Sequence, residues 1–277
     1  MQRALVLGGG GITGIAWEVG MLKGLADAGV DVTGADVVVG TSAGSVVGAQ
    51  VTYGLSVQQL YDSQLPTTDA ELGGKFGLTV MLRMGTLMVL PGSSRTRRRR
   101  IGRAAMRATR KVRAGARTEM IRARLEVHSW PDRDLRITAV DVDSGELRVF
   151  DGSNDVDIVE AVAASCAVPL IWPPVKIDGH RYMDGGIRST VNIDLAKGAD
   201  SVVVLAPLPQ TFGKYYSIPA QLDRLGPHVR SLVVSPDKQA LKAIGRDMLD
   251  PTKRADAAHA GLVQAASVVD QAHAVWH

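Results

Sequence analysis

Three short segments of this 277-residue chain hold residue types that can act on an electrophilic carbonyl. The first is Gly8-Gly9-Gly10-Gly11-Ile12-Thr13-Gly14, between the apolar run Ala4–Leu7 and a helical pattern. Glycines let the backbone turn sharply and present bare N–H groups, which the helix that follows makes more positive. Such a loop can hold a phosphate or the oxyanion of acyl transfer. Gly9, Gly11 and Gly14 also satisfy the dinucleotide fingerprint, so the loop alone does not choose between these uses. The second segment is Gly40-Thr41-Ser42-Ala43-Gly44, directly after the apolar run Ala35–Val39 and opening a second helical pattern. In a G-x-S-x-G elbow the serine occupies a strained turn, and the small residues at its ends permit close approach. Strand before and helix after are the context that separates an elbow from a chance match. The third is Asp184-Gly185-Gly186, at the end of a short strand. An acid followed by two glycines is a common turn. Its weight comes from the combination, because a nucleophilic serine needs a base.

Other reactive side chains fit less well. His180 begins the strand that ends in Asp184, roughly 13 Å away for four residues of strand, too far for direct pairing. His128, His228, His259, His273 and His277 stand outside any motif, and the single Cys166 in an Ala-rich stretch reads as a small buried hydrophobe. No Cys/His cluster has metal-ligand spacing, so no metal is expected.

The elements that must position these segments alternate as strand, loop, helix from Met1 to about Leu65. Ile15 to Ala28 and Ala43 to about Tyr53 show helical spacing, and the rhythm predicts a mostly parallel sheet with helices on both faces. It resumes at Leu135–Val140, with a hairpin to Glu146–Phe150 and a helix over Val156–Ala167. A second hairpin joins Val175–Ile177 to His180–Met183 across Asp178-Gly179. Ser201–Leu205 and Ser231–Val234 read as strands, and Gln239–Leu249 and Ala255–Val275 as closing helices. The whole, residues 1–277, is expected to be a single domain with an insertion at about 66–131.

That insertion carries its own signal. Between Arg95 and Arg124 thirteen Arg or Lys face one acid, Glu119, so a segment of +12 rides on a remainder of −8. Phe76 to Leu90 is apolar and Met-rich, with Leu78, Met81, Leu82, Gly85, Met88 and Val89 at helical spacing. The basic stretch reads as too dense in like charge to pack inside the domain. It leads to a mobile cover that touches anionic membrane, with a solvated loop as the plainer alternative. No uncharged apolar run approaches the roughly 18 residues of a membrane span, and the apolar run at the N-terminus is too short for a signal peptide. The cytoplasm, with peripheral membrane contact, is the expected location.

Taken together and in this order, the three motifs resemble the patatin-like phospholipases. Ala164-Ser165-Cys166-Ala167-Val168-Pro169, Pro173-Pro174, Tyr182-Met183 ahead of Asp184, and Asn192 strengthen the likeness, which covers about residues 3–55 and 135–206. The resemblance implies a three-layer α/β fold and a Ser42–Asp184 dyad. It also implies an oxyanion hole built from the loop Gly9, Gly10, Gly11, Ile12, Thr13 and Gly14, with Gly40, Thr41, Ala43 and Gly44 framing the nucleophile and Gly185 and Gly186 the aspartate. The implied activity is hydrolysis of a lipid or simple ester, of the phospholipase A or lysophospholipase kind, without a cofactor and without specific nucleic acid. Two departures stand out. Thr13 replaces the family's usual Arg or Lys, which leads to the expectation that Thr13→Arg is tolerated, and Asp194 replaces a proline. The rival readings are a dinucleotide-dependent oxidoreductase and a protein that binds membrane or nucleic acid through its Arg-rich segment. The first wants an acid after the second strand, where this chain has Gly40-Thr41-Ser42.

Overall fold

The computed structural model describes residues 1–66, 78–113, 115–153, 155–210 and 213–277. Phe76, where the expected apolar helix begins, and the side chains of Leu78 and Met81 lie outside that description. The strands are β1 (Arg3–Leu7), β2 (Val37–Thr41), β3 (Asp134–Asp141), β4 (Leu147–Phe150), β5 (Val175–Ile177), β6 (His180–Asp184), β7 (Ser201–Leu205) and β8 (Arg230–Val234). Eight helices frame or extend this core: α1 (Gly11–Asp27), α2 (Ala43–Tyr53), α3 (Val57–Gln64), α4 (Leu78–Val89), α5 (Ser94–Ala108), α6 (Ala116–Arg124), α7 (Ile158–Ser165) and α8 (Ile218–Leu225). Three more, α9 (Lys238–Ile244), α10 (Arg254–Ala265) and α11 (Val269–Trp276), close the chain.

The strands of the described residues join one sheet in the order β5-β6-β3-β2-β1-β7-β8, with β4 pairing β3 off that path. The five strands from β3 to β8 along that order run parallel, and β4, β5 and β6 add antiparallel pairings around β3. Side chains of a strand alternate between faces, and here both faces are buried. Leu5, Leu7 and Val38 point into the larger core with Trp17, Leu22 and Trp276, while Ala4, Val6, Val37, Val39, Val202 and Val204 pack on the opposite face with Leu222 and Leu225 of α8. This is the mostly parallel, helix-covered sheet that the alternating rhythm predicts.

Among the boundaries that differ from the sequence reading, α1 begins at Gly11 instead of Ile15 and β2 runs to Thr41 instead of Val39, and two near the C-terminus have a local reason. The helix expected over Gln239–Leu249 stops at Ile244 because Gly245 takes φ +77°, which ends a helix without steric cost. The helix expected over Ala255–Val275 is two, α10 and α11, broken where the Ser267 hydroxyl donates to the Gln264 carbonyl and competes with the helical ladder.

The larger correction is the insertion. The basic stretch folds as helix and packs. Its 3.6-residue period turns Ile101, Gly102, Ala104 and Ala105 of α5 inward, where Ile101 joins Met84, Val140, Val142 and Met183 in a separate small core. Gly102 is needed there, since a Cβ would lie 2.8 Å from Val142 Cγ1. Like charge does not prevent this packing because the cations occupy the other face. The one buried exception, Arg98, donates to the Gly145 carbonyl and lies over the Tyr216 ring. α6 packs against α7 through Ile121.

Candidate active site

The elbow sits where β2 passes into α2. Ser42 has φ 51° and ψ −114°, a conformation that a non-glycine residue adopts only when its surroundings impose it. Those surroundings are specific. The Ser42 N–H donates to Ser165 Oγ at 2.9 Å, and its carbonyl accepts from Ser45 Oγ at 2.6 Å and from the Cys166 thiol at 3.2 Å. The two elbow glycines are there for packing. A Cβ on Gly44 would fall 2.1 Å from the Leu7 carbonyl oxygen, and one on Gly40 would fall 2.6 Å from Ser45 Cα. Neither neighbour can yield, because both are backbone. The Gly44 N–H also donates to the Gly8 carbonyl at 2.9 Å, which ties the elbow to the glycine loop.

Asp184 reaches the same place from the other side of β3. In the ladder Thr41 pairs with Thr138, and Asp184 pairs with Ala139, the next residue of β3. The register therefore brings the residue after Thr41 and the last residue of β6 to one sheet end. The Ser42 hydroxyl lies near enough to the Asp184 carboxylate to favour its ionised form. The Gly186 N–H donates to Asp184 Oδ1 at 2.7 Å, and Gly185 lies so close to β3 that a Cβ would meet Thr138 Oγ1 at 2.3 Å. Burial pushes the Asp184 carboxyl up to about 6, against the opposing pull of the nearby Ser42 hydroxyl, the Gly186 N–H and the Arg117 charge. A buried carboxylate that is hard to ionise is correspondingly more basic once ionised.

Of the expected oxyanion donors, Gly9 is not available. Its N–H donates to the Thr190 carbonyl at 2.7 Å, Gly14 N–H to Gly10 and Thr13 N–H to Met248. Gly10, Gly11 and Ile12, at the N-terminus of α1, retain N–H groups outside these bonds. Gly11 and Ile12 line a cleft of about 250 Å³ with Ser42, Arg117, Cys166 and Trp172. Thr13 does not leave room for an arginine. It is fully buried, and its hydroxyl reaches the Met248 carbonyl at 3.4 Å. Tolerance of Thr13→Arg is thus contradicted by packing. Asp194, the second departure, pairs with Arg188, at 3.0 Å from Nη1.

His180 stands apart, with Nδ1 3.1 Å from Asp141 Oδ2 and a largely exposed ring. Among the described residues no histidine lines the cleft. Cys166 is buried, and burial raises its thiol above the ordinary range, which disfavours thiolate chemistry.

Several residues at the site gave no sequence signal of their own. Arg117, from the insertion, lines the cleft with its guanidinium 5.1 Å from the Trp172 ring centroid. Nothing in a run of arginines marks one as facing a serine 75 positions earlier. Under the elbow, Asn192 Nδ2 donates to Thr41 Oγ1 at 3.0 Å and to the Ser189 carbonyl at 2.7 Å, while Thr138 Oγ1 donates to Thr41 Oγ1 at 2.9 Å. Ser165 and Asn192 belong to the motifs quoted above, but their bonds to the elbow follow only from the fold.

An elbow serine at the same sheet end as a buried carboxylate, beside a helix N-terminus on an α/β sheet, is an arrangement that suits acyl transfer. The family model for patatin-like phospholipases matches residues 5–197, and the chain belongs to that family. At the level of the family it is a lipid acyl hydrolase. Similar solved structures include the following two. VipD from Legionella pneumophila has 14% identity and a TM-score of 0.47, with 98% of this chain and 67% of that chain covered. The type III effector protein ExoU has 17% identity and a TM-score of 0.43, and the chain spans 53% of its length. No curated protein matches the chain.

Proposed function

We propose that the chain hydrolyses carboxylic esters of lipids, in the manner of a phospholipase A or lysophospholipase, with Ser42 as nucleophile and Asp184 as base. The observation that carries this reading is the register that brings the strained Ser42 and the buried Asp184 to the same sheet end. Ser42 Oγ attacks the ester carbonyl carbon while its proton passes to Asp184. The carbonyl oxygen becomes an oxyanion beside the N–H groups of Gly10 and Gly11, where the dipole of α1 favours negative charge. Collapse of the tetrahedral intermediate breaks the ester bond, and the departing alkoxide takes the proton back from Asp184. Water then attacks the acyl-serine with Asp184 again as base.

Labelling with a fluorophosphonate probe followed by peptide mapping tests the nucleophile. Ser42 carries the adduct in the wild type, and Ser42→Ala is not labelled. Ser42→Ala and Asp184→Asn each abolish p-nitrophenyl ester hydrolysis, and the double variant is no worse than either single, because the pair acts as a unit. His180→Ala keeps most of the activity. Turnover by Asp184→Asn beside a dead His180→Ala would replace the dyad with a histidine base.

A further inference from the structure

We propose that the α4–α5 hairpin is a docking face for the surface of an anionic lipid bilayer. Arg95, Arg99, Arg103 and Arg107 recur every fourth residue along α5 and are all exposed, so they form one stripe down the helix. Arg110, Lys111 and Arg113 continue the exposed charge beyond its end. Arg95 pairs with Glu146 and Arg113 with Glu119, but among the described residues Arg99, Arg103, Arg107, Arg110 and Lys111 have no carboxylate partner. The stripe is a face and not a disordered tail, because the opposite side of α5 is fixed in the small core with Val140 and Val142.

The neighbouring helix supplies the second half of the argument. α4 packs against α5 and turns Met84 inward, yet leaves Leu82 63% and Val89 81% exposed on one side, followed by Leu90 at 38%. Exposed apolar side chains on one helix and unpaired cations on the helix packed against it match an anionic bilayer, whose headgroups attract the charge and whose acyl boundary accepts the leucine and valine. A nucleic acid would satisfy the arginines but not Leu82 and Val89. A second copy in a two-fold contact would set two stripes of like charge face to face. The position also suits delivery of lipid. α5 rests through Gly102 on Val142, just past the end of β3, and β3 runs parallel to β2, so the hairpin lies at the sheet end that carries Ser42.

The inference goes beyond the hydrolytic reading, and its test uses no activity. The full chain is sedimented with vesicles of phosphatidylcholine alone and of phosphatidylcholine mixed with phosphatidylserine, at low and high salt. Wild type partitions onto the anionic vesicles at least about tenfold better than onto neutral ones, and salt removes the difference. The triple variant Arg99→Gln, Arg103→Gln, Arg107→Gln loses about 100-fold in partition, since each cation near such a surface is worth roughly fivefold. These side chains are exposed, and an unchanged melting temperature verifies the fold. Leu82→Ser with Val89→Ser weakens vesicle binding while leaving retention on double-stranded DNA as in the wild type. Equal binding to neutral vesicles, or an unaffected triple variant, overturns the proposal. Serine substitutions that leave vesicle binding unchanged reduce the face to a general polyanion site. A dimer in sedimentation equilibrium that these substitutions abolish assigns it to a second copy.

Discussion

In the proposed mechanism the carboxylate that takes a proton from serine must be basic, yet it must be ionised before the reaction begins. Asp184 stands between these demands, with burial holding its carboxyl at about 6 and Arg117 pulling it down. Activity therefore rises through about pH 6 as Asp184 ionises, and Arg117→Gln moves that limb to higher pH. A kcat/KM profile on a soluble ester reads both. The same shift governs stability with a defined sign. In the unfolded chain the group ionises near its ordinary 3.8, so between that value and about 6 the folded state holds the extra proton. Wild-type stability falls as pH rises through this window and stays lower above it. Asp184→Asn escapes the penalty and is more stable than the wild type by up to about 3 kcal/mol near neutral pH, a gain that vanishes at about pH 4. Urea titrations at the two pH values measure it, and a variant less stable at neutral pH would argue against burial as the dominant cause. Which residues form the elbow and the aspartate turn is legible in the sequence, because a strained turn demands glycine within two positions of it. That Gly9 serves Thr190 instead of an oxyanion is not, since an N–H finds its acceptor only when distant segments meet.

At the level of elements, the glycine loop is held from behind. Its helix α1 crosses α10 so closely that a Cβ on Gly20 would lie 2.0 Å from the Ala258 carbonyl oxygen, and one on Gly261 2.3 Å from that of Trp17. Trp17 Nε1 donates to Gln264 Oε1 at 3.0 Å across the same crossing. Gly20→Ala sets two effects against each other. Alanine favours a helix interior by about 1 kcal/mol, but overpacking against backbone costs about 1–3 kcal/mol. Since a carbonyl oxygen cannot move aside as a side chain can, overpacking wins, and the urea midpoint of Gly20→Ala falls. Thr13→Arg meets a harsher limit, a charge placed where threonine is fully buried, and costs more than about 3 kcal/mol. Thr13→Ser, which keeps the hydroxyl, stays within about 1 kcal/mol of wild type by the same measurement. The helical period of α1 and α2 is plain in the sequence. The crossing is not, because small residues in α10 read as ordinary helix until the partner helix is known.

Over the whole molecule, the family match ends at residue 197, but the sheet does not. β7 pairs with β1 over Arg3–Leu7, and the Gly8 N–H donates to the Leu205 carbonyl at 2.9 Å. A chain cut after Lys197 leaves β1 as an open edge, strips the glycine loop of Pro207, against which Gly10 packs, and removes α10. It is expected to show no cooperative unfolding transition by circular dichroism. A cooperative melt in the shortened chain would mean that the matched region folds on its own. The sequence by itself determined what is local: the strand–loop–helix rhythm, the glycine-framed elbow, the aspartate at a strand end and the segregation of positive charge into one segment. These follow from steric limits on single turns and from the periods of helix and strand, which act over a few residues. Tertiary structure alone decided which N–H groups of the glycine loop stay open, that Arg117 reaches the serine cleft, and that the basic segment is a packed helix with one charged face. Each depends on which distant surfaces become neighbours, and hence on burial and hydrogen-bond competition across the sheet, which no local pattern encodes.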